Sequence, residues 1–186
     1  TRDGFVLSEG ACIIVLEDYE QAVKRGVKVY GEITGYGNTT DAFHQTMPSP
    51  EGEARAIKSA LDEAGLKRED IDYINAHGTA TKLGDEAETR AIKIACGKRA
   101  YHIPITSVKS MTGHMLAASG ALEVAFTLLS VNEGIIPPTI NLIQKDPACD
   151  LDYVTEIRKV TITNALSHSF GFGGVNTVLL FRRMRR

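Results

Sequence analysis

Cysteine is scarce in this sequence. Three occur in 186 residues, Cys12, Cys96 and Cys149, and no two form a C-x-x-C pair. An odd number at wide spacing argues against a disulfide framework and against a cysteine-built zinc site. It points to a reducing compartment, cytosol or organelle matrix. No excess of one charge is present: 21 basic residues face 23 acidic ones, a net −2. Nucleic-acid binding therefore has no electrostatic footing. Without Arg182, Arg183, Arg185 and Arg186 the rest of the chain carries −6, and the arginine tail reads as a solvated terminus. Long apolar runs are missing too. The most apolar stretch, 115–131, is interrupted by Ser119, Gly120, Glu123, Thr127 and Ser130. It falls short of a membrane span and reads as a buried helix. No targeting pattern precedes it. G-x-S-x-G, H-E-x-x-H and P-loop motifs are all absent. Cys12 falls in a predicted strand, Cys96 at a helix end and Cys149 in a loop, and none has the pKa-lowering neighbour of a reactive thiol.

Hydrophobic residues at 43% and charged residues at 24% describe a globular unit of one domain, 1–186. The chain opens on Thr1 inside a loop-to-strand pattern, which predicts a piece of a longer protein. The β-branched run 11–17 predicts a strand. Residues 18–25 followed by Gly26 predict a helix with a glycine cap. Alternation from Val27 to Tyr36 predicts a second strand, and 37–49 a loop. Helices are expected over 51–64, 83–96 and 116–132, and strands over 70–77, 103–108, 160–167 and 175–181. Strands alternating with helices give an α/β fold with a mostly parallel or mixed sheet covered by helices.

Three segments carry candidate chemistry. Asn75-Ala76-His77-Gly78-Thr79-Ala80-Thr81 follows a predicted strand, where α/β sheets place ligands; a turn histidine satisfied by local threonines is the plainer reading. Lys109-Ser110-Met111-Thr112-Gly113-His114 leads from a strand toward an apolar helix. A cation is a poor fit at the positive end of a helix, which favours a neutral His114 acting as a hydrogen-bond donor. The plainer reading is a solvated lysine. Ser167-His168-Ser169-Phe170-Gly171-Phe172-Gly173-Gly174 lies between two strands, so its Gly-x-Gly is not a dinucleotide fingerprint, which needs a strand followed by a helix. It reads as a tight reversal with backbone N–H groups turned toward a site, or as a plain hairpin.

Together these segments resemble the C-terminal half of the β-ketoacyl-[acyl-carrier-protein] synthases. Asp3 to Gly10, Pro137-Pro138-Thr139-Ile140-Asn141 and Asn176 after Gly173-Gly174 match as well, so the likeness spans the chain. Lys-Ser-Met-Thr-Gly-His is similar to the fatty-acid synthase II type. The resemblance implies a thiolase-like fold, here its C-terminal half with a five-stranded mixed sheet. It implies decarboxylative Claisen condensation with malonyl-acyl carrier protein, with no cofactor beyond the carrier's phosphopantetheine. It also implies a homodimer in the full-length protein. The family's nucleophilic cysteine belongs to the N-terminal half, absent from this chain. His77 and His114 would donate hydrogen bonds to the enolate oxygen, with Lys109 acting on the pair through Glu123. The Phe172 N–H would serve an oxyanion hole and its ring a gate, with Phe170 in support. Thr79 and Thr81 would bind pantetheine. The family's structural cation site would fall near Asn75, Glu123 and Ser167. His168 departs from the family's usual Asn there. A polyketide ketosynthase and a chain-length-factor-like partner subunit are the rival readings.

Overall fold

The computed structural model describes residues 2–184. Its centre is a five-stranded sheet in the order β1-β7-β6-β2-β3. β1 (Glu32–Thr40), β7 (Val175–Arg182) and β6 (Asn164–Gly171) run antiparallel in turn, whereas β6, β2 (Tyr73–Asn75) and β3 (Ile105–Thr106) run parallel. The sheet is therefore mixed, as expected. Alternation along the strands sorts its two faces. Ile74 and Leu166 join one core with Ile57, Ala60 and Ile92, from α2 (Pro50–Ala64) and α3 (Lys82–Cys96). Tyr73 and Ala165 point the other way, packing with Val131 of α5 (Ser119–Glu133), Ile136 and Ile162. A short two-stranded ribbon, β4 (Ile135–Ile136) with β5 (Arg158–Lys159), stands apart from the main sheet.

Local chemistry sets the helix ends. Asp18 caps α1 (Tyr19–Arg25) by accepting from the Glu20 and Gln21 amides, and Gly26 closes it in the left-handed region. Ser49 accepts from the Gly52 amide with Pro50 opening α2, and Gly65 ends that helix. α2 lies directly on β1: a Cβ at Gly35 or Gly37 would sit 2.1 or 1.9 Å from the Ala60 or Ala56 carbonyl oxygen. Glycine on the strand and alanine on the helix allow this approach.

Several boundaries differ from the expected ones. Residues 11–17 form no strand; Ile13, Val15 and Leu16 are strongly exposed. A β-branched run favours extended structure but cannot supply the neighbour whose ladder makes a strand. β1 begins at Glu32, beyond the expected Val27, and runs to Thr40 into the expected loop, because it pairs along the whole of β7, Glu32 with Arg182 through Thr40 with Val175. β6 starts at Asn164, later than Val160, for the same reason, its register with β7. The 116–132 helix is α5 preceded by a 3-10 turn, Leu116–Ala118. It is not buried all round: Leu116 and Leu129 are exposed, while Ser119, Glu123, Thr127 and Ser130 face inward. In the arginine tail, Arg182 pairs with Glu32 at 2.9 Å and Arg183 donates to the Asn132 carbonyl, while Arg185 and Arg186 lie outside the described residues.

Candidate active site

The three sequence segments converge at the carboxyl ends of β2, β3 and β6. Asn75 ends β2 beside Thr106 of β3 and Ser167 of β6, and each chain runs on from there into the site. His77 and His114 meet edge to face, ring centroids 5.7 Å apart and planes at 86°. They border one open cleft of about 860 Å³ with Thr79, Thr81, Phe170 and Phe172.

His77 is held through its backbone. Its amide donates to Glu88 Oε1 at 2.9 Å, and the next amide, Gly78, donates to Glu88 Oε2 at 2.8 Å. The Gly78 carbonyl accepts from Ser107 Oγ at 2.7 Å. Gly78 has φ +38°, and a Cβ there would lie 2.6 Å from Ser107 Cβ, so this position requires glycine. Burial, reinforced by the Lys109 charge, pushes the His77 imidazole down to about 3. The ring is neutral near pH 7.

His114 follows α4 (Lys109–Thr112). Its backbone is bracketed by the N-terminal segment, donating to the Val6 carbonyl at 2.7 Å and accepting from the Ser8 amide at 3.1 Å. Phe5 packs on its ring at 5.0 Å. The Leu116 amide donates to His114 Nδ1 at 3.0 Å. Leu116 reaches this place with φ +52°, rare for a branched side chain. Burial and Lys109 lower the His114 pKa. The ring is thus neutral, with the proton on Nε2.

Lys109 is buried and its ammonium pairs with the buried Glu123 carboxylate of α5. Burial pushes Glu123 up and the ammonium draws it back. Thr79 and Thr81 share a hydroxyl hydrogen bond of 3.0 Å. Phe170 is buried, 6.1 Å from the His77 ring. Phe172 stands exposed on the β6–β7 turn at the cleft mouth. In that turn the Gly173 amide donates to the Gln45 carbonyl at 2.7 Å. Asn176, buried, donates to Asp41 Oδ1 at 2.7 Å and so ties the 41–49 loop to the turn.

The residues expected around a cation are close together but differently engaged. Asn75 Nδ2 donates to the Glu123 carbonyl and to Thr127 Oγ1, leaving Asn75 Oδ1 buried without a partner among the described residues. Ser167 is buried nearby on β6. The Glu123 carboxylate belongs to Lys109, and the His168 imidazole is turned by strand alternation to the other face of the sheet, against Glu88 of α3. Among the described residues no group of three His, Cys, Asp or Glu side chains is placed to hold a metal. Cys96 and Cys149 do not line this cleft, and burial pushes the Cys96 thiol up to about 12 and raises Cys149 as well.

The match extends to known proteins. Residues 30–143 fit the model of the beta-ketoacyl synthase C-terminal domain. The chain belongs to the beta-ketoacyl synthase family. It is 52% identical over 185 residues to 3-oxoacyl-[acyl-carrier-protein] synthase 2 of Synechocystis sp., covering 98% of this chain and 44% of that one. It is 50% identical to the synthase 2 of Staphylococcus aureus strain COL, at 98% and 45% coverage. The solved complex of a type II polyketide acyl-carrier protein with its ketosynthase superposes with a TM-score of 0.96 at 41% identity, over 99% of this chain and 46% of that one. The chain thus spans less than half the length of these ketosynthase relatives, and the fold is the thiolase-like one of the family.

Sequence reading missed Glu88, Ser119 and Glu53. Ser119 Oγ contacts His114 Nδ1 at 3.2 Å. Glu53 is 1% exposed, and burial with Glu88 and Asp41 nearby pushes it up to about 9. Acids and serines at helical positions carry no signal of their own; only the fold points them inward. Among the described residues no helix is long and apolar enough to cross a membrane.

Proposed function

We propose that this chain is, over its whole length 1–186, the C-terminal half of a 3-oxoacyl-[acyl-carrier-protein] synthase that elongates fatty acids. One observation carries the reading: two neutral imidazoles meet edge to face on one cleft, beside a buried lysine. Malonyl thioester entering the cleft loses CO₂, and the electrons of the broken C–C bond move onto the thioester oxygen. His77 and His114 donate hydrogen bonds to that oxygen, where charge develops, and Lys109 adds a fixed positive field. The resulting carbanion attacks an acyl thioester on a cysteine of the preceding half. The tetrahedral oxyanion is met by the Phe172 backbone N–H, and its collapse forms the 3-oxoacyl thioester and releases the cysteine thiolate. Thr79 and Thr81 hold the phosphopantetheine arm of the carrier, and no other cofactor takes part. The Phe172 ring gates the acyl pocket with Phe170 behind it. The partners are acyl carrier protein, the preceding half and, in the full-length protein, a second copy. The site of action is the cytosol or an organelle matrix.

Identity of 52% to the synthase 2 relative against 41% to the polyketide ketosynthase favours fatty-acid elongation. Retention of His77, Lys109 and His114 favours a working enzyme over a chain-length-factor-like subunit. The test is acyl transfer. Joined to a preceding half bearing the cysteine, the chain should convert acyl- and malonyl-carrier protein to 3-oxoacyl-carrier protein with release of CO₂. Alone it should take up no acyl group, and stable acylation of Cys12, Cys96 or Cys149, read by mass spectrometry, would overturn the reading.

A further inference from the structure

A carboxylate that is almost wholly withdrawn from water sits directly behind His77. Glu88 is 5% exposed, and its two oxygens divide between consecutive backbone amides, Oε1 to His77 and Oε2 to Gly78. Burial alone would raise this carboxyl, but hydrogen bonds and the neighbouring imidazoles hold it below its ordinary value, so it is ionised. A carboxylate only accepts, and a third donor completes its shell: His168 Nδ1, 2.9 Å from Oε1. That imidazole is 0% exposed. Its Nδ1 must carry the proton, and its Nε2 is buried with no partner among the described residues, so the contact that fixes the ring's polarity is Glu88.

The geometry makes a chain of three elements. β6 supplies His168, α3 supplies Glu88, and the loop after β2 supplies the His77–Gly78 peptide. Without His168 the carboxylate can rotate about its last bonds and exchange which amides it grips. With His168 bound to Oε1, that oxygen is held against the His77 amide. His168 also lies 5.2 Å from the Phe170 ring, which is 6.1 Å from His77. It therefore reaches the imidazole side and the backbone side of His77 at once, while touching no position a substrate would occupy.

We propose that His168 is a positioning residue, which locks the Glu88 carboxylate so that it sets the His77 backbone, and through it the direction of the His77 imidazole, for enolate stabilisation. This rests on the proposed decarboxylation. In a histidine, Nδ1 is as many bonds from Cβ as the side-chain nitrogen of an asparagine. His168→Asn therefore keeps a donor near the same point. His168→Leu removes it, and His168→Gln carries it one methylene too far while remaining polar.

The test uses the chain joined to the preceding half. Malonyl-carrier protein decarboxylation is followed at varied substrate, and amide hydrogen exchange is read on the segment holding His77 and Gly78. His168→Leu and His168→Gln should lower kcat by roughly 10–100-fold, the scale of losing a partner that orients a functional group. KM should change less than about twofold, since uniform binding is untouched. Exchange at His77 and Gly78 should quicken. His168→Asn should recover kcat and protection to near the parent. Parent kcat and parent exchange in His168→Gln would overturn the proposal, and so would an Asn variant as impaired as Leu. His77→Ala separates the two ideas. If it decarboxylates at the parent rate, the catalytic reading fails, and the exchange data alone decide whether His168 holds the loop.

Discussion

The Leu116 backbone N–H, 3.0 Å from His114 Nδ1, decides which nitrogen of that imidazole carries the proton. A backbone amide can only donate, so Nδ1 accepts and Nε2 holds the hydrogen. Leu116 makes this contact from the left-handed region, φ +52°, and the lowered pKa keeps the ring neutral. Nitrogen-15 spectra of the protein at pH 7 should show His114 as the neutral Nε2–H tautomer. They should show His77 still neutral at pH 5, since its pKa lies near 3. An imidazolium at either position at neutral pH would contradict the site as described.

The Lys109–Glu123 pair makes opposite predictions for stability and activity. Both side chains are buried, so removing one leaves a charge unpaired. Lys109→Met should destabilise by about 3–5 kcal/mol in denaturant unfolding, as breaking a buried ion pair typically does. Lys109→Met with Glu123→Leu should regain most of that stability, because no charge is then stranded. Decarboxylation should stay impaired in both, since the positive field at the histidines is gone.

Glu53 gives a pH signature. Its ordinary value of 4.5 rises to about 9 in the fold through burial and the nearby Glu88 and Asp41. Between these two values the native state holds a proton that the unfolded state has lost. The associated stability is complete below pH 4.5 and declines as pH rises through 9. Glu53→Gln, uncharged in both states, should be close to the parent at pH 4 and should gain on it with rising pH, by up to about 1.4 kcal/mol per unit. Unfolding midpoints that keep a constant gap from pH 5 to pH 8 would show that Glu53 is ionised in the fold.

Exposed apolar side chains set the behaviour of the isolated chain. Ile13, Val15, Leu16 and Ile143 are 73–98% exposed. Surfaces of this kind on one molecule drive association. The 186-residue chain by itself should self-associate in light scattering and bind an apolar dye. A monodisperse monomer without dye binding would mean that these residues are covered in solution.

Much of the site was legible before the fold was known, for a specific reason. His77 follows β2, and Lys109 and His114 open and follow the short helix α4 just beyond β3; strand ends are where such sheets place ligands, while the roles expected of the three came from the family resemblance. Glu88 was illegible because it is one polar position among several on α3, and nothing local shows that its oxygens grip amides ten and eleven residues back. A sheet covered by helices followed from strands alternating with helices, and its five strands from the family resemblance, but the run 11–17 did not become a strand, since composition names an extended preference and only a neighbour makes a ladder. The shifted starts of β1 and β6 have the same origin, a register set by β7 and not by the residues at the boundary.

The central claim is that His77 and His114 act on one oxygen. Their ring centroids are 5.7 Å apart, and groups that stabilise one charge together are strongly non-additive. The direct measurement is malonyl-carrier protein decarboxylation by His77→Ala, His114→Ala and the double variant, each joined to the preceding half. Each single change should cost at least about 10²–10³ in rate, the effect of losing an oxyanion donor, and the double variant should be little slower than the worse single one. Self-acylation of the upstream cysteine should fall less. Single variants that decarboxylate at the parent rate would contradict the account, as would a double variant whose loss is the full product of the two.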